Sequence, residues 1–221
     1  MIHSRVIWAL GLLAPPILAF ADPSVPAGSA SAAFPLGTLS FWEYSGNGQF
    51  GGNTSPSPVT MRMDVIETFH RANIDAAWVR GNPMGLMNAA GGDHVIATVA
   101  DRIYIVQPPR TAQVLQRLRD PNTSPDALLT DTDLLMRVPL AVGAKVCGEG
   151  DHCWVVVSEK PPVNKKLSAA GNEFEITSKG LAGSSTIRFV PGVGITGFEF
   201  QRNQSREWAR VALSDYYLSP D

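Results

Sequence analysis

The stretch VCGEGDHCWVVV, Val146 to Val157, gathers two cysteines, two acids and a histidine in one short segment. Three chemistries use such residues: a zinc knuckle, a dithiol redox pair and a stapled turn. Zinc knuckles space their cysteines two to four residues apart and draw further ligands from a second pair. Here Cys147 and Cys153 are six positions apart, and the chain has no third cysteine. The spacing also excludes a Cys-x-x-Cys redox motif. A disulfide across a Gly-rich turn is therefore predicted, with Gly148 and Gly150 supplying the turn and CWVVV opening a β-branched strand. A metal site built from His152 with Asp151 or Glu149 is the alternative.

Elsewhere the chemistry-bearing residues are sparse. Glu67 and His70 share one strand-like run and Asp93-His94 opens another, so a His/carboxylate metal site at Glu67, His70 and His94 is one candidate. Histidines at strand edges are more often hydrogen-bonded surface groups. Ser184 and Ser185 lie in GLAGSST without the Gly-x-Ser-x-Gly elbow of a hydrolase, and read as a linking loop. Asp131 and Asp133 read as helix-capping acids. GNGQFGG, Gly46 to Gly52, runs into NTSPSP and reads as a loop, without the strand and helix context of a phosphate cradle. No catalytic residue and no cofactor is assigned.

The elements that must position these groups are mostly strands. Runs of strand character between turn signals cover Thr38–Ser45, Val59–Phe69, Ile74–Arg80, His94–Val99, Ile103–Gln107, Trp154–Ser158, Glu173–Thr177, Ser185–Val190, Gly194–Gln201 and Glu207–Leu213. Met61, Met63 and Val65 alternate with Arg62 and Asp64, as in a sheet with one buried and one wet face. A helix capped by Thr111 and ended by Asp120-Pro121 is predicted, with Val114, Leu115 and Leu118 on one side, and a second short one from Ser124-Pro125-Asp126. The expected fold is mainly β (β-rich α+β): an antiparallel open or half barrel with one or two covering helices.

The N-terminus has the plan of a cleavable secretory signal: Arg5, an apolar run from Val6 to Leu18, then Ala19-Phe20-Ala21. Residues 1–21 are read as the signal, 22–33 as a flexible Pro- and Ser-containing leader, and 34–221 as one β-rich domain. The absence of a cysteine after the apolar run argues against a lipid anchor, which makes the expected location secreted or periplasmic. With 18 basic and 20 acidic residues the chain lacks the positive charge that nucleic-acid binding needs.

Three motifs carry a resemblance. FPLGTLSFWEY, with Pro35, Leu36, Gly37, Trp42 and Tyr44, LLMRVPLAVGAKV, with Pro139, Leu140 and Gly143, and IRFVPGVGITGFEF, with Pro191, Gly192, Val193 and Gly194, resemble exported bacterial β proteins of unknown function. That resemblance implies a curved, lipoprotein-carrier-like sheet around an apolar interior. It supplies no catalytic residue. On the residues alone, PGVG reads as a type II turn with Gly192 at the third position.

An exported, non-enzymatic binding module is the expectation, holding an apolar small molecule or a lipidated protein in the barrel. Trp42, Tyr44, Trp78, Met84, Met87, Tyr104 and Trp154 are the candidate ligand-lining residues. A protein–protein interaction module using the sheet edges and the Met84–Met87 segment is the first alternative. A metal-dependent enzyme is the second.

Overall fold

The computed structural model describes residues 29–51, 55–86, 92–122, 128–148 and 153–220. Twelve strands form one antiparallel sheet: β1 (Phe41–Gln49), β2 (Ser57–Arg71), β3 (Ile74–Arg80), β4 (His94–Val99), β5 (Arg102–Val106), β6 (Leu134–Arg137), β7 (Lys145–Cys147), β8 (Cys153–Lys160), β9 (Glu173–Lys179), β10 (Gly183–Val190), β11 (Gly194–Arg202) and β12 (Trp208–Tyr217). Their order is β6-β5-β4-β3-β2-β1-β12-β11-β10-β9-β8-β7. The terminal strands β6 and β7 come side by side, so the sheet curls into a nearly closed barrel. The mainly β, antiparallel fold expected from the sequence is the fold observed.

Two apolar clusters divide the sheet's faces. The inner one joins Trp42, Tyr44, Met63, Val65, Val79, Ile96, Ile103, Phe174, Ile187, Phe189, Ile195 and Val211. The outer one packs Phe69, Ile74, Ala76, Val95, Ala97, Tyr104 and Val106 beneath helix α2 (Arg110–Arg119), which contributes Val114, Leu115 and Leu118. Strands β3 to β5 are thus buried on both faces, which explains their almost unbroken apolar character.

A bulge in β2 makes this division. Val65 pairs with Val79 and Glu67 with Trp78, leaving Ile66 as the extra residue. One inserted residue inverts the period-2 alternation. Met63 and Val65 consequently face inward, whereas Phe69 joins the cluster under α2. Beyond it, the Arg71 guanidinium donates to the carbonyls of Leu118 and Asp120 at 2.9 and 2.8 Å and, more weakly, to those of Arg117 and Pro121. These include carbonyls that the last turn of a helix cannot satisfy for itself, and the cation lies at the negative end of the helix dipole.

Several local expectations are corrected. Thr111 is not the cap of α2 but its second residue, donating its hydroxyl to the Val106 carbonyl, and Pro109 holds the cap position. The short strands β6 and β7 were not predicted; four and three residues carry too little periodicity to be seen. Gly46 to Gln49, read as loop, extend β1, and Ser184 and Ser185 both lie in β10. The end of the expected leader is ordered: Ala30–Ala33 form a single helical turn, α1, with Ala30 and Ala33 buried. Their small side chains let the chain pass into the barrel mouth, where the Ala30 N–H donates to the Ala100 carbonyl and the Gly192 N–H to the Ala33 carbonyl.

The signal segment and the predicted helix at Ser124-Pro125-Asp126 lie outside the described residues. Among those described, no helix is long and apolar enough to cross a membrane.

Candidate functional site

The two ends of the barrel differ. One end is shut by α1, by Phe34, and by the 3-10 segment Lys165–Ala170, whose Leu167 is buried in the inner cluster. Phe34 meets Trp42 and Phe189 edge-on, each at a centroid distance of 5.8 Å. Gly194, with φ of 100°, admits the Phe34 ring, which would lie 2.5 Å from a Cβ at that position. Gly192, at φ of 82°, has the left-handed conformation that the third position of a type II turn requires. Two of the quoted motifs therefore meet at this end as structure.

At the other end a cavity of about 490 Å³ opens, lined by Met84, Gln107, Trp154, Leu181, Ala182, Ser185, Phe198, Phe200, Arg202 and Asn203. The 3-10 turn Pro83–Gly85 brings in Met84, its N–H accepted by the Asn82 side chain at 2.9 Å. Trp154 is the first residue after Cys153, which is disulfide-bonded to Cys147 directly across the β7/β8 pair. The predicted staple is thus present, and it fixes the strand that carries Trp154.

Leu181, in the turn between β9 and β10, is fully exposed at the cavity rim. The Asn203 amide donates to the Gly180 and Leu181 carbonyls at 3.0 and 3.2 Å, which holds the turn in place. At the same rim Arg202 pairs with Glu207 at 2.9 Å. Aromatic and aliphatic side chains share the lining with the polar Gln107, Ser185, Arg202 and Asn203, of which Arg202 and Asn203 are paired with neighbouring groups.

The candidate lining residues are dispersed by the fold. Met84 and Trp154 line the cavity. Trp42 and Tyr44 are fully buried toward the closed end, donating to the carbonyls of Val193 at 2.7 Å and Ile195 at 2.9 Å. Burial raises the Tyr44 phenol well above its ordinary pKa. Tyr104 lies on the outer face in the α2 cluster, and Trp78 packs at the edge of that cluster with the Arg119 and Arg80 guanidinium groups 5.4 and 5.9 Å from its ring. Met87 lies outside the described residues. Gln107, Leu181, Ala182, Ser185, Phe198, Phe200, Arg202 and Asn203 complete the site; the isolated Leu in KGLAG, between turn glycines, is the signal that could have pointed to it.

The three metal candidates form no common site among the described residues. His70 Nδ1 lies 2.9 Å from an Asp75 carboxylate oxygen, and Glu67 pairs with Arg119, raising the pKa of that guanidinium through their hydrogen bond. His94 is buried, and desolvation lowers its pKa against opposing contributions from the Gly92 backbone and Asp93. No group of three or more His, Cys, Asp or Glu side chains suited to a metal occurs among the described residues. His152, Asp151 and Glu149 lie outside them. Asp133 does cap: it accepts from the Thr130 N–H at 2.9 Å and from the Arg110 guanidinium.

No family model matches this chain, and neither does any curated protein. Solved structures do. A protein inferred to be exported, with a YmcC-like fold, from Bacteroides fragilis is 13% identical, with 83% of this chain and 98% of that one covered at a TM-score of 0.41. An inferred lipoprotein from Parabacteroides distasonis is 12% identical, with coverages of 83% and 97% and a TM-score of 0.39. An inferred outer-membrane lipoprotein-sorting protein domain from Vibrio parahaemolyticus is 8% identical, with coverages of 81% and 85% and a TM-score of 0.29. At such identities no residue role passes from them to this chain.

Proposed function

We propose that this chain is an exported binding module that takes an apolar ligand, a free amphiphile or the lipid of a modified protein, into the open end of its barrel. The observation that carries the reading is the cavity of about 490 Å³ walled by Met84, Trp154, Phe198 and Phe200. Its volume lies within the range of small-molecule sites, and a lining that combines Met84, Trp154, Phe198 and Phe200 with polar side chains suits an apolar chain bearing a polar head. Each methylene moved out of water contributes about 0.8 kcal/mol, so eight supply roughly 6 kcal/mol before the cost of association. That total suits a ligand that is held and later released.

Leu181 supports the protein-borne form of the ligand. A leucine held in full exposure at the rim by two side-chain hydrogen bonds is a contact point for whatever delivers the chain. The predicted signal segment supports the exported location.

Native mass spectrometry of the mature protein, with organic extraction of what travels with it, tests the reading. A stoichiometric apolar adduct released by extraction is expected. A bare polypeptide mass, combined with no saturable uptake of N-phenyl-1-naphthylamine or lauric acid by the delipidated protein, overturns it.

A further inference from the structure

A second cavity, of about 350 Å³, lies on the outer wall of the barrel over β10, β11 and β12, lined by Ser184, Thr186, Glu199, Gln201, Trp208 and Arg210 together with Phe200 and Ala209. The strand pairing sets its polar residues in two ranks: Ser184 opposite Gln201 opposite Trp208, and Thr186 opposite Glu199 opposite Arg210. β1 lengthens both ranks, with Gln49 opposite Trp208 and Asn47 opposite Arg210. Phe198 and Phe200 belong to the inner cluster, so the alternating Glu199 and Gln201 face outward.

The ranks are held in place. Arg210 Nε pairs with Glu199 Oε2 at 3.1 Å, and the Gln201 amide donates to the carbonyls of Arg202, Ser205 and Glu207, each at 3.3 Å. Gly46 lets β1 close onto β12, because a Cβ there would stand 2.0 Å from the Arg210 carbonyl oxygen.

We infer that this groove is a binding site for a neutral saccharide. The Arg210 guanidinium and the Glu199 carboxylate that line it are paired with each other, so the groove offers hydrogen-bonding side chains with no net charge for an ion. Two hydroxyls, Ser184 and Thr186, stand beside them. Trp208, between Gln201 and Gln49 in its rank, adds one aromatic side chain. A pyranose has that same combination: hydroxyls around its edge that both donate and accept, and an apolar C–H face that packs on an indole. An aliphatic chain would bury the polar ranks without partners, and a nucleic acid would need unpaired positive charge. The volume lies at the small end of ligand sites, which suits one or two sugar rings of a longer chain.

The test is calorimetric titration of the full chain with maltohexaose, cellohexaose and chitohexaose. Saturable binding of at least one is expected, weakened about tenfold or more by Trp208→Ala through loss of the aromatic platform. Thr186→Arg places a bulky cation in the groove from a partly exposed strand position; it should abolish binding while leaving the thermal midpoint within a few degrees. The inference is overturned by the absence of saturable binding for all three oligosaccharides, or by binding that both variants retain at full strength. The reading of the open-end cavity does not depend on the result.

Discussion

The indole N–H of Trp42 on β1 donates to the carbonyl oxygen of Val193, 2.7 Å away and 151 residues later in the chain. The bond ties the first strand of the sheet to the turn between β10 and β11. It is fully buried, so its loss leaves the Val193 carbonyl without that donor in a place water does not reach. Trp42→Phe keeps much of the apolar contact with Phe34 and removes the donor; the expected cost is about 2 kcal/mol, in the range for an orphaned buried polar group. Urea denaturation should show a lower midpoint with an unchanged m-value. Ligand uptake at the opposite end of the barrel should be retained.

His94 makes stability depend on pH. It is buried, desolvation depresses its folded pKa, and its Nδ1 has no hydrogen-bond partner. In the unfolded chain its pKa returns to about 6.5. Between those two values the unfolded state binds more protons than the folded one, so stability falls as pH drops below about 6.5 and is fully present above it. The slope contributed by one such group reaches about 1.4 kcal/mol per pH unit. His94→Gln should flatten that part of the profile, read by chemical denaturation between pH 7.5 and pH 5.

A buried carboxylate gives a second stability test. Glu173 accepts a hydrogen bond from the Thr196 hydroxyl at 2.5 Å, and its other oxygen has no partner. Thr196 sits at the β10/β11 register shift, where Arg188 pairs with Gly197 and Phe189 with Ile195. Thr196→Val removes the donor while keeping the shape, and should destabilise by about 1–3 kcal/mol. Glu173→Gln in the same background should recover part of the loss, because an amide is less costly to bury than a carboxylate. A double-mutant cycle on thermal midpoints measures both.

What the sequence shows of this fold is its periodic part. Ile74–Arg80 and His94–Val99 are read with their observed ends because each is flanked by turn residues and packed on both faces. The fate of Phe69 is invisible in the same way of reading: Met61, Met63, Val65, Glu67 and Phe69 keep one parity in sequence, and only the bulge at Ile66 sends Phe69 to the outer face. Composition alone likewise cannot separate an aromatic that lines a cavity from one that seals an end. Trp42 and Tyr44 seal, since their polar atoms meet carbonyls contributed by a distant turn and strand. Leu181, Arg202 and Asn203 enter the candidate site through a hairpin register, which no local pattern encodes.

The Arg71 cap on α2 predicts a local effect. Its guanidinium reaches four carbonyls at the end of the helix, a geometry available to the planar fork and not to an ammonium group. Arg71→Lys should therefore lose most of what Arg71→Ala loses, about 1–2 kcal/mol. Hydrogen exchange should localise the change to Leu115–Arg119 and leave the inner strands β1 and β12 protected.

The disulfide offers a test that separates stability from ligand binding. Closing a loop of this length contributes about 2 kcal/mol on the chain-entropy account, and Cys147 and Cys153 face one another at the end of the hairpin that carries Trp154. Replacing both cysteines by alanine should lower stability by that amount and also loosen the Trp154 side of the cavity. Trp154→Ala alone removes the wall without touching the staple. If the cavity holds an apolar ligand, both variants weaken N-phenyl-1-naphthylamine uptake, Trp154→Ala by about tenfold or more for a buried aromatic contact. The double-alanine variant should have the smaller effect on affinity and the larger one on the thermal midpoint. Unchanged uptake in Trp154→Ala would move the ligand elsewhere in the barrel, away from Met84 and Phe200.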